Sequence, residues 1–532
     1  MNVFVINLTR FGDILQTQAA VNGLTAQGHR VGMLCLDNFA PAVALLENVE
    51  YAATLPGGRL LARLEADWRR GAADLQELFT QWRREFPADL VLNLTASLSA
   101  RVLARAFAGA SLPIRGFGLD ELGFGVDGNV WTSFLQGSTL RRLCCPYNLT
   151  DVFREVCGVG GVPAVNRLRR PEESLIASMR EKLASTAPED CSGFVAFQLG
   201  ASEERRQWPA EFFADLAGRL WDEQRLCPVL VGASSEKHLA QSYARAARSP
   251  FVDCIAQTTL PELGALLINT RLLVTNDTGT MHLAAGLEVP VLAIFLATAQ
   301  PWDTGPYLAG SCCLEPRLPC HPCAFGKACP NDERCKTRIS PDTVAELTLT
   351  RLNAGEWKPD ELCKSEARIW QSRRDADGCM GLRCLSGDDG DDRTLWIALQ
   401  RKGYRHILDE LDGKKTSNAL PPLPQDKLSA AFAAPILESL RQTLALLHLM
   451  SEQSALLERA PDQQTGKRIL GSASRLGGLL EQRETLNALG YLWSVLMQER
   501  GGSLASLAQC IAALQRGIQY WRLVIEKSSH LA

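Results

Sequence analysis

The chain has 532 residues, with 56 lysines and arginines against 59 aspartates and glutamates, for a formal net charge of −3. This length predicts about three domains, because domains average on the order of 100 to 200 residues. The near balance of charge argues against nucleic acid as a partner. No apolar run approaches the ~18 residues that a transmembrane segment needs.

Cysteine usage and the amino terminus indicate the compartment. The 17 cysteines are scattered, and several, such as Cys35, Cys227 and Cys254, lie in apolar runs typical of buried strands. This pattern favours reduced thiols over a disulfide framework. Met1 leads directly into an apolar run without the basic region of a secretion signal. We expect a cytoplasmic protein, with peripheral attachment to the inner membrane as an open alternative.

The first predicted element is a strand at residues 3–8, followed by a turn that contains Gly12 and Asp13. Open α/β sheets bind ligands at the carboxyl ends of their strands, and here a carboxylate occupies that place. Asp13 is therefore a candidate general base. The alternative is that Asp13 only caps the helix that starts there.

Strand-like runs alternate with helical stretches along much of the chain, which is the βαβ pattern. The runs lie at residues 3–8, 31–36 and 90–94, and again at 194–199, 229–231, 272–275 and 291–295. The stretch at 158–171 is rich in Gly, Pro and Arg, and predicts a linker or a domain crossover near residue 165. The pattern thus predicts two α/β halves.

The run at residues 272–275 ends in a second turn, Asp277, Thr278 and Gly279, before an alanine-rich helix. A glycine lets a ligand approach the backbone, and the helix start offers unpaired N–H groups and a positive dipole end. The turn therefore predicts an anion site, which a phosphate would fit best. The alternative is an ordinary capped helix.

Four cysteines follow with the spacing C-x2-C-x5-C-x5-C, namely Cys320, Cys323, Cys329 and Cys335. Four thiolates can surround a tetrahedral metal ion in a closed, structural site. The spacing is not that of a common zinc ribbon, so reduced thiols or disulfides that pack the loop are the alternative.

The last part of the chain has a different pattern. Residues 382–385 and 395–399 flank an acidic turn and predict a small β element, and prolines at 421, 422 and 424 follow. Leucines and alanines at helical spacing over 428–457, 468–498 and 503–525 predict an antiparallel helical bundle. We expect this bundle to serve oligomerisation or the docking of a partner protein. The alternative is a stabilising appendage without a partner.

Four short pieces of sequence, in a fixed order, resemble the bacterial heptosyltransferases of glycosyltransferase family 9 over roughly residues 1–350. The pieces are residues 10–13, 200–202 with 206–209, 230–232 with Glu236, and 277–279 with His282. The resemblance implies a GT-B fold, in which two Rossmann-like domains face each other across a cleft. The expected domains are an acceptor domain at 1–165, a nucleotide-sugar domain at 166–354 with a Cys-rich loop at 320–335, a small mixed module at 355–424, and an all-α extension at 425–532.

The resemblance also implies roles for single residues. Asp13 matches the base that takes the acceptor proton, and Arg206 stands near the place of the family's lysine beside the phosphates. Glu236 matches the residue that holds the ribose hydroxyls. The full set of implied substrate contacts is Gly12, Ser202, Glu236, Asp277, Thr278, Gly279, His282 and Thr298.

Two departures from the family pattern stand out. Arg206 replaces a lysine, and a planar guanidinium has a different geometry from an ammonium. Leu296, Ala297 and Thr298 stand where the family usually reads Gly-Pro-Thr, which puts a contact to the sugar or the base in doubt because a close-approach glycine is lost.

The resemblance implies an enzyme that moves a heptose from a nucleotide-diphosphate sugar, expected to be ADP-heptose, to a hydroxyl of the lipopolysaccharide inner core or of a surface protein. Catalysis needs no cofactor, but related protein-glycosylating members carry cysteine-bound iron, so structural iron or zinc is allowed. The alternative is an inactive nucleotide-sugar-binding scaffold that acts through its helical extension. Truncation near Pro424 is expected to leave a folded, donor-binding enzyme.

Overall fold

The computed structural model describes residues 1–417, 419 and 425–530, and the chain packs as two compact units. The first unit comprises residues 1–119 and 148–386, and the second comprises the described parts of 120–147 and 387–532. The prolines at 421, 422 and 424 lie outside the described residues. The predicted domain boundaries at 165, 354 and 424 remain a proposal.

The strands and helices alternate through most of the chain. The strands are β1 (Asn2–Ile6), β2 (Arg30–Leu36), β3 (Tyr51–Leu55), β4 (Leu90–Asn93), β5 (Ile114–Leu119), β6 (Gly125–Asp127), β7 (Gly193–Gln198), β8 (Leu226–Val231), β9 (Val252–Asp253), β10 (Leu273–Asn276), β11 (Val291–Ile294), β12 (Cys312–Pro316), β13 (Ala367–Arg374) and β14 (Met380–Cys384). The α-helices are α1 (Phe11–Gln16), α2 (Gln18–Ala26), α3 (Ala40–Val43), α4 (Gly57–Ala66), α5 (Trp68–Glu85), α6 (Leu98–Ala108), α7 (Val130–Thr139), α8 (Leu149–Val156), α9 (Glu173–Thr186), α10 (Ala210–Gln224), α11 (Lys237–Ala246), α12 (Leu260–Ile268), α13 (Gly279–Gly286), α14 (Pro301–Thr304), α15 (Cys335–Arg338), α16 (Pro341–Ala354), α17 (Glu361–Glu366), α18 (Asp392–Leu411), α19 (Ala430–Arg459), α20 (Gln463–Glu481), α21 (Asn487–Arg500) and α22 (Leu504–Lys527). Within the described residues, no helix is long and apolar enough to cross a membrane.

The first unit contains two sheets, and we call the part built on each sheet a lobe. In the first lobe the strands run in the order β3-β2-β1-β4-β5, and neighbouring strands are parallel. The central strand β1 is rich in β-branched and aromatic side chains, and Val3, Phe4, Val5 and Ile6 are all buried. Burial on both faces is what a parallel sheet between helices requires.

The second lobe is built on an eight-stranded sheet with the order β14-β13-β12-β11-β10-β7-β8-β9. The strands from β7 to β12 pair in parallel, whereas β13 pairs antiparallel with β12 and β14 antiparallel with β13. The hairpin of β13 and β14 therefore extends this sheet. Residues 395–399, predicted as part of a small β element, lie in α18 instead, because Leu395, Trp396 and Leu399 are buried along one helical face.

The second unit is helical apart from the short β6, as the bundle prediction required, but the predicted helix at 468–498 is two helices, α20 and α21. The chain turns back sharply between them. A Cβ on Gly490 would lie 2.8 Å from Glu481 Cγ, so only a glycine permits this close approach of α21 to α20.

Glycines also allow other helices of the second unit to pack closely against each other. A Cβ on Gly137 of α7 would lie 2.8 Å from the Tyr491 ring of α21, and one on Gly403 of α18 would lie 2.4 Å from the Trp521 ring of α22. A chain that ends near Pro424 would leave α7 and α18 without these partners. The expectation that such a truncation leaves a folded enzyme does not fit this packing.

Candidate active site

A cavity of about 610 Å³ lies between the two lobes of the first unit. This volume is within the range of small-molecule sites, roughly 300 to 1,000 Å³. Residues of α1 line it from the first lobe, and residues that follow β7, β8 and β10 line it from the second. The predicted site residues in its wall are Gly12, Asp13, Ser202, Arg206, Glu236, Asp277, Thr278, Gly279 and His282.

Asp13 is the third residue of α1, and it lies partly buried in the cavity wall. Its carboxylate accepts a hydrogen bond from the Arg10 backbone N–H at 3.2 Å. Burial raises the pKa of Asp13 above its ordinary value, although hydrogen bonds and the charge of Arg10 oppose the rise. Asp13 thus caps its helix and also presents a carboxylate of enhanced basicity to the cavity.

Buried polar side chains shape the turn that presents Asp13. Asn7, just after β1, accepts the Thr9 N–H at 3.1 Å, and its amide donates to the Asp13 backbone carbonyl at 3.4 Å. The Leu8 N–H donates to Thr95 Oγ1 at 2.9 Å. These bonds replace strand pairing where the chain leaves the sheet.

The predicted anion site lies where β10 meets α13. Thr278 is the N-cap residue and has an extended backbone, but its side chain makes no capping hydrogen bond. Its hydroxyl instead lies 3.2 Å from Thr275 Oγ1. The first turn of α13 therefore lacks the usual side-chain cap, as expected where a ligand anion takes that role.

Arg206 is held from several directions beside this helix start. Its Nε donates to Thr298 Oγ1 at 2.7 Å and its Nη1 to Ser202 Oγ at 3.4 Å. Its Nη2 lies 3.2 Å from Glu203 Oε1, and its Nη1 lies 3.6 Å from Asp277 Oδ2. Thr298 is fully buried behind Arg206, so its observed contact is with this side chain.

Glu236 is joined to the helix start through a residue that the sequence did not single out. Gln198 Nε2 donates to Glu236 Oε1 at 3.0 Å, and Gln198 Oε1 accepts the Thr280 hydroxyl at 2.9 Å. The other carboxylate oxygen of Glu236 accepts the Ala233 N–H at 2.6 Å. Gln198 therefore connects the loop after β8 to the first turn of α13.

His282 lies one turn into α13 and is almost completely buried. Its Nε2 is 3.1 Å from Gln16 Nε2, and the amide of Gln16 donates to the ring. Burial lowers the pKa of His282 to about 4, so the ring is neutral near pH 7.

Sequence reasoning missed three buried polar residues, Gln16, Gln198 and Asn276. Asn276 donates to the Leu199 carbonyl at 2.8 Å and accepts the Trp208 N–H at 2.9 Å, which fixes the loop that carries Arg206. Gln198 and Asn276 are polar residues at the ends of apolar strand runs, which is a signal that could have found them. Gln16 is one helical turn after Asp13, on the same face of α1.

The four cysteines of the Cys-rich loop lie near one another but differ in exposure, from the exposed Cys320 to the buried Cys335. Burial and the neighbouring thiols Cys335, Cys320 and Cys329 raise the pKa of Cys323. In the part of the chain that the structure describes, no group of three or more His, Cys, Asp or Glu side chains is placed to hold a metal ion. The described residues therefore give no assembled ligand group in support of the metal predicted from the cysteine spacing.

The Cys-rich loop does contact Arg206 and its neighbour Arg205. Arg205 Nη1 donates to the Lys327 carbonyl at 2.8 Å, and the Arg206 guanidinium lies 5.9 Å from the centre of the Phe325 ring. The Cys323 N–H donates to the Ala297 carbonyl at 2.8 Å. Ala297 adopts a left-handed backbone (φ 53°), while Leu296, at the family's glycine, is fully buried in the lobe core.

Comparison with known proteins matches the second lobe to a family. Residues 168–333 match the model of glycosyltransferase family 9 (heptosyltransferase). This segment of the chain is similar to family 9. The matched segment contains β7 to β12 and every predicted site residue from Ser202 to Thr298.

Two curated proteins are similar to parts of the chain. Lipopolysaccharide heptosyltransferase 1 of Pseudomonas aeruginosa PAO1 is 29% identical over 192 residues, which are 33% of this chain and 52% of that protein. Lipopolysaccharide heptosyltransferase 1 of Escherichia coli K12 is 24% identical over 140 residues, which are 26% and 41% respectively. The chain thus spans about half the length of the curated relatives it matches.

Solved structures match a larger part of the chain. The family 9 glycosyltransferase of Veillonella parvula DSM 2008 has a TM-score of 0.51 and 18% identity, covering 66% of this chain and 97% of that one. The E. coli ADP-heptose lps heptosyltransferase II has a TM-score of 0.50 and 17% identity, covering 67% and 100%. At these identities the likeness concerns the fold alone, and the predicted GT-B fold is confirmed.

Proposed function

We propose that this protein is a glycosyltransferase that moves a sugar from a nucleotide-diphosphate donor to an acceptor hydroxyl. The observation that carries the proposal is the meeting, in one cavity, of Asp13 with the start of α13 and Arg206. A basic carboxylate from one lobe thus faces groups suited to a diphosphate from the other. Nothing in the described site favours the alternative of an inactive scaffold.

In the proposed reaction, Asp13 accepts the proton of the acceptor hydroxyl while the hydroxyl oxygen bonds to the anomeric carbon of the donor. The bond between that carbon and the diphosphate breaks, and its electron pair leaves with the diphosphate. The backbone N–H groups at the start of α13 and the guanidinium of Arg206 stabilise the developing negative charge. The proposed step uses no cofactor.

We propose ADP-heptose as the donor, with Glu236 on the ribose hydroxyls. The names of the similar proteins support a heptose donor, and the E. coli protein of similar fold is named for ADP-heptose. The acceptor is a hydroxyl of the lipopolysaccharide inner core or of a surface protein. The proposed place of action is the cytoplasm, where attachment to the inner membrane would bring the enzyme to a lipid-linked acceptor.

The test is a transfer assay with purified protein, ADP-heptose, and either heptose-free lipopolysaccharide core or candidate surface proteins. Release of ADP together with a gain of one heptose by mass spectrometry supports the proposal and identifies the acceptor class. Asp13→Asn protein serves as the inactive control. Absence of ADP release and of sugar transfer with every acceptor would overturn the proposal.

For the second unit we propose a role in self-association or in docking a partner protein. Its described helices expose large apolar side chains, including Leu456 at 60% and Leu470 at 62%. Light scattering of wild-type protein and of the Leu456→Ser/Leu470→Ser variant tests self-association. A monomeric wild type with an unchanged acceptor range in the variant would contradict the role.

The iron or zinc implied by the family resemblance stays outside the proposed reaction. The described residues of the Cys-rich loop show no assembled group of metal ligands. Metal analysis of anaerobically purified protein decides the point, since a stoichiometric ion lost in Cys323→Ser would support a metal. Purified protein that is fully stable without any bound metal would contradict a structural metal ion in the Cys-rich loop.

A further inference from the structure

The start of α1 in the first lobe contacts the start of α13 in the second lobe at the cavity. An aromatic ring from each helix lies beside a glycine of the other helix. A Cβ on Gly279 would lie 2.2 Å from Phe11 Cδ1, and a Cβ on Gly12 would lie 3.0 Å from His282 Cδ2. Phe11 and Gly12 belong to α1, whereas Gly279 and His282 belong to α13. Each helix therefore packs an aromatic ring against a glycine of the other helix.

A buried hydrogen bond adds to this contact. Gln16 and His282 are only 3% and 6% exposed, and their Nε2 atoms are 3.1 Å apart. Gln16 is three residues after Asp13, and His282 is three residues after Gly279. The bond thus joins the helical turn behind the proposed base to the turn behind the proposed diphosphate site.

The geometry points to a specific role for these contacts. Proton abstraction and departure of the diphosphate are coupled, so their groups must be held within roughly 0.5 Å of a productive arrangement. Here those groups come from different lobes, and noncovalent contacts between the lobes must fix their separation. We propose that Phe11 and Gln16 are positioning residues that hold Asp13 in register with Thr278 and Gly279. This inference rests on the proposed function.

The proposal gives Gly279 a second reason to be glycine. A backbone that only needed to approach a diphosphate would make any side chain at 279 harmful, whatever occupies position 11. Because the Phe11 ring fills the space beside Gly279, a methyl group there displaces the ring and moves the lobes apart. The two explanations predict different effects of Gly279→Ala when Phe11 is replaced by alanine.

A double-mutant cycle distinguishes the two explanations for glycine at position 279. Its readouts are kcat, the KM for ADP-heptose and the Kd for ADP. Gly279→Ala should lower kcat at least about 10-fold in the wild-type background. In the Phe11→Ala background, where the ring is gone, the same change should cost less than about 2-fold. An equal loss in both backgrounds would overturn the role of Phe11.

A matched pair of variants tests Gln16. Gln16→Leu should lower kcat by about 10-fold and leave the Kd for ADP unchanged, because the bond to His282 is lost while the backbone N–H groups at the start of α13 are kept. Gln18→Leu is the control, since Gln18 is equally buried but bonds to Glu47 and Asn22 within its own lobe. Both variants should lose thermal stability, and only the first should lose kcat.

Wild-type turnover is measured first, so that failure of the proposed function can be distinguished from failure of the proposed positioning role. No transfer by the wild type overturns the proposed function and this inference with it. Transfer by the wild type, with wild-type kcat in Gln16→Leu or equal loss in Gln18→Leu, overturns the role of Gln16 alone. A general loss of folded protein would lower apparent kcat and the stoichiometry of ADP binding together, whereas a loss of positioning lowers kcat alone.

Discussion

The carboxylate of Glu236 lies in the space that a side chain on Gly200 would need. A Cβ on Gly200 would be 1.4 Å from Glu236 Oε1, and one on Gly232 would be 2.4 Å from Glu236 Oε2. The glycines after β7 and β8 thus form a slot for this carboxylate. Inside the slot, Gln198 and the Ala233 N–H hold its two oxygens.

Gly200→Ala should therefore displace Glu236 and weaken donor binding although residue 200 has no functional group. We expect the Kd for ADP, measured by calorimetry, to rise about 10-fold, or about 1.4 kcal/mol. Glu236→Ala should have a similar effect, and the double variant should be no worse than either. Gly218→Ala is the control, since open space surrounds Gly218 in α10. Additive losses in the double variant would contradict the slot.

Asp13→Asn should lower kcat by about 100-fold or more, because an amide cannot take the acceptor proton. ADP affinity should stay near the wild-type value. Asp67→Asn is the matched control, because Asp67 also caps a helix, accepting the Arg69 N–H at 3.1 Å. If both variants kept full turnover in the transfer assay, Asp13 would be only a cap.

The same variant has a predicted stability effect. The pKa of Asp13 is raised by burial, so the folded state binds its proton more tightly than the unfolded state does. The stabilisation from this proton is present at acidic pH and is lost as pH rises through the raised pKa. At pH 7 the buried charge of Asp13 thus destabilises the folded state, so Asp13→Asn should raise Tm. In acid the variant should lose this gain in Tm. A lower Tm at pH 7 would contradict this.

His282 should make the protein sensitive to acid. Its pKa is about 4 when folded against an ordinary value of 6.5, so the unfolded state binds an extra proton between these values. The contribution of neutral His282 to the free energy of unfolding is complete above pH 6.5 and falls as pH drops towards 4. Denaturant unfolding should show that the free energy of unfolding falls less between pH 7 and pH 5 in His282→Gln than in wild type. The exposed His238→Gln should match wild type.

Arg206→Lys should lower kcat by about 10- to 100-fold, because one ammonium cannot reach Thr298, Ser202 and Glu203 while facing the diphosphate. Arg205→Lys is the control for charge, since Arg205 bonds to Glu203 and the Lys327 carbonyl. Steady-state kinetics with ADP-heptose should show a much smaller effect there. Equal effects of the two substitutions would mean that position 206 supplies only charge.

A chain that ends after residue 417 should be unstable rather than a minimal enzyme. It keeps α7 and α18 but lacks α21 and α22, so the faces at Gly137 and Gly403 lose Tyr491 and Trp521. We expect aggregation or a broad, noncooperative thermal transition in calorimetry. Lys467→Ala, at an exposed polar position of α20, should unfold like wild type. A monodisperse truncated protein with a sharp transition would contradict the packing argument.

The sequence by itself determined the elements and the local chemistry of this protein. Apolar runs located the main strands of both lobes, and glycine with a carboxylate or a threonine marked the turns at Asp13 and Thr278, because strand ends and helix starts carry local signals. The cysteine spacing also suggested a metal, for which the described residues show no assembled ligand group. Spacing gives the order of ligands along a chain but not their directions in space.

Only the tertiary structure decided which residues meet. Gln16 and His282 stand 266 positions apart, and their contact depends on how two lobes pack. The slot for Glu236, the Phe11 ring over Gly279 and the partners of α7 are likewise contacts between distant segments. A side chain's local pattern reports its own strand or helix, whereas such contacts depend on shapes that both segments supply, so no single stretch of sequence encodes them.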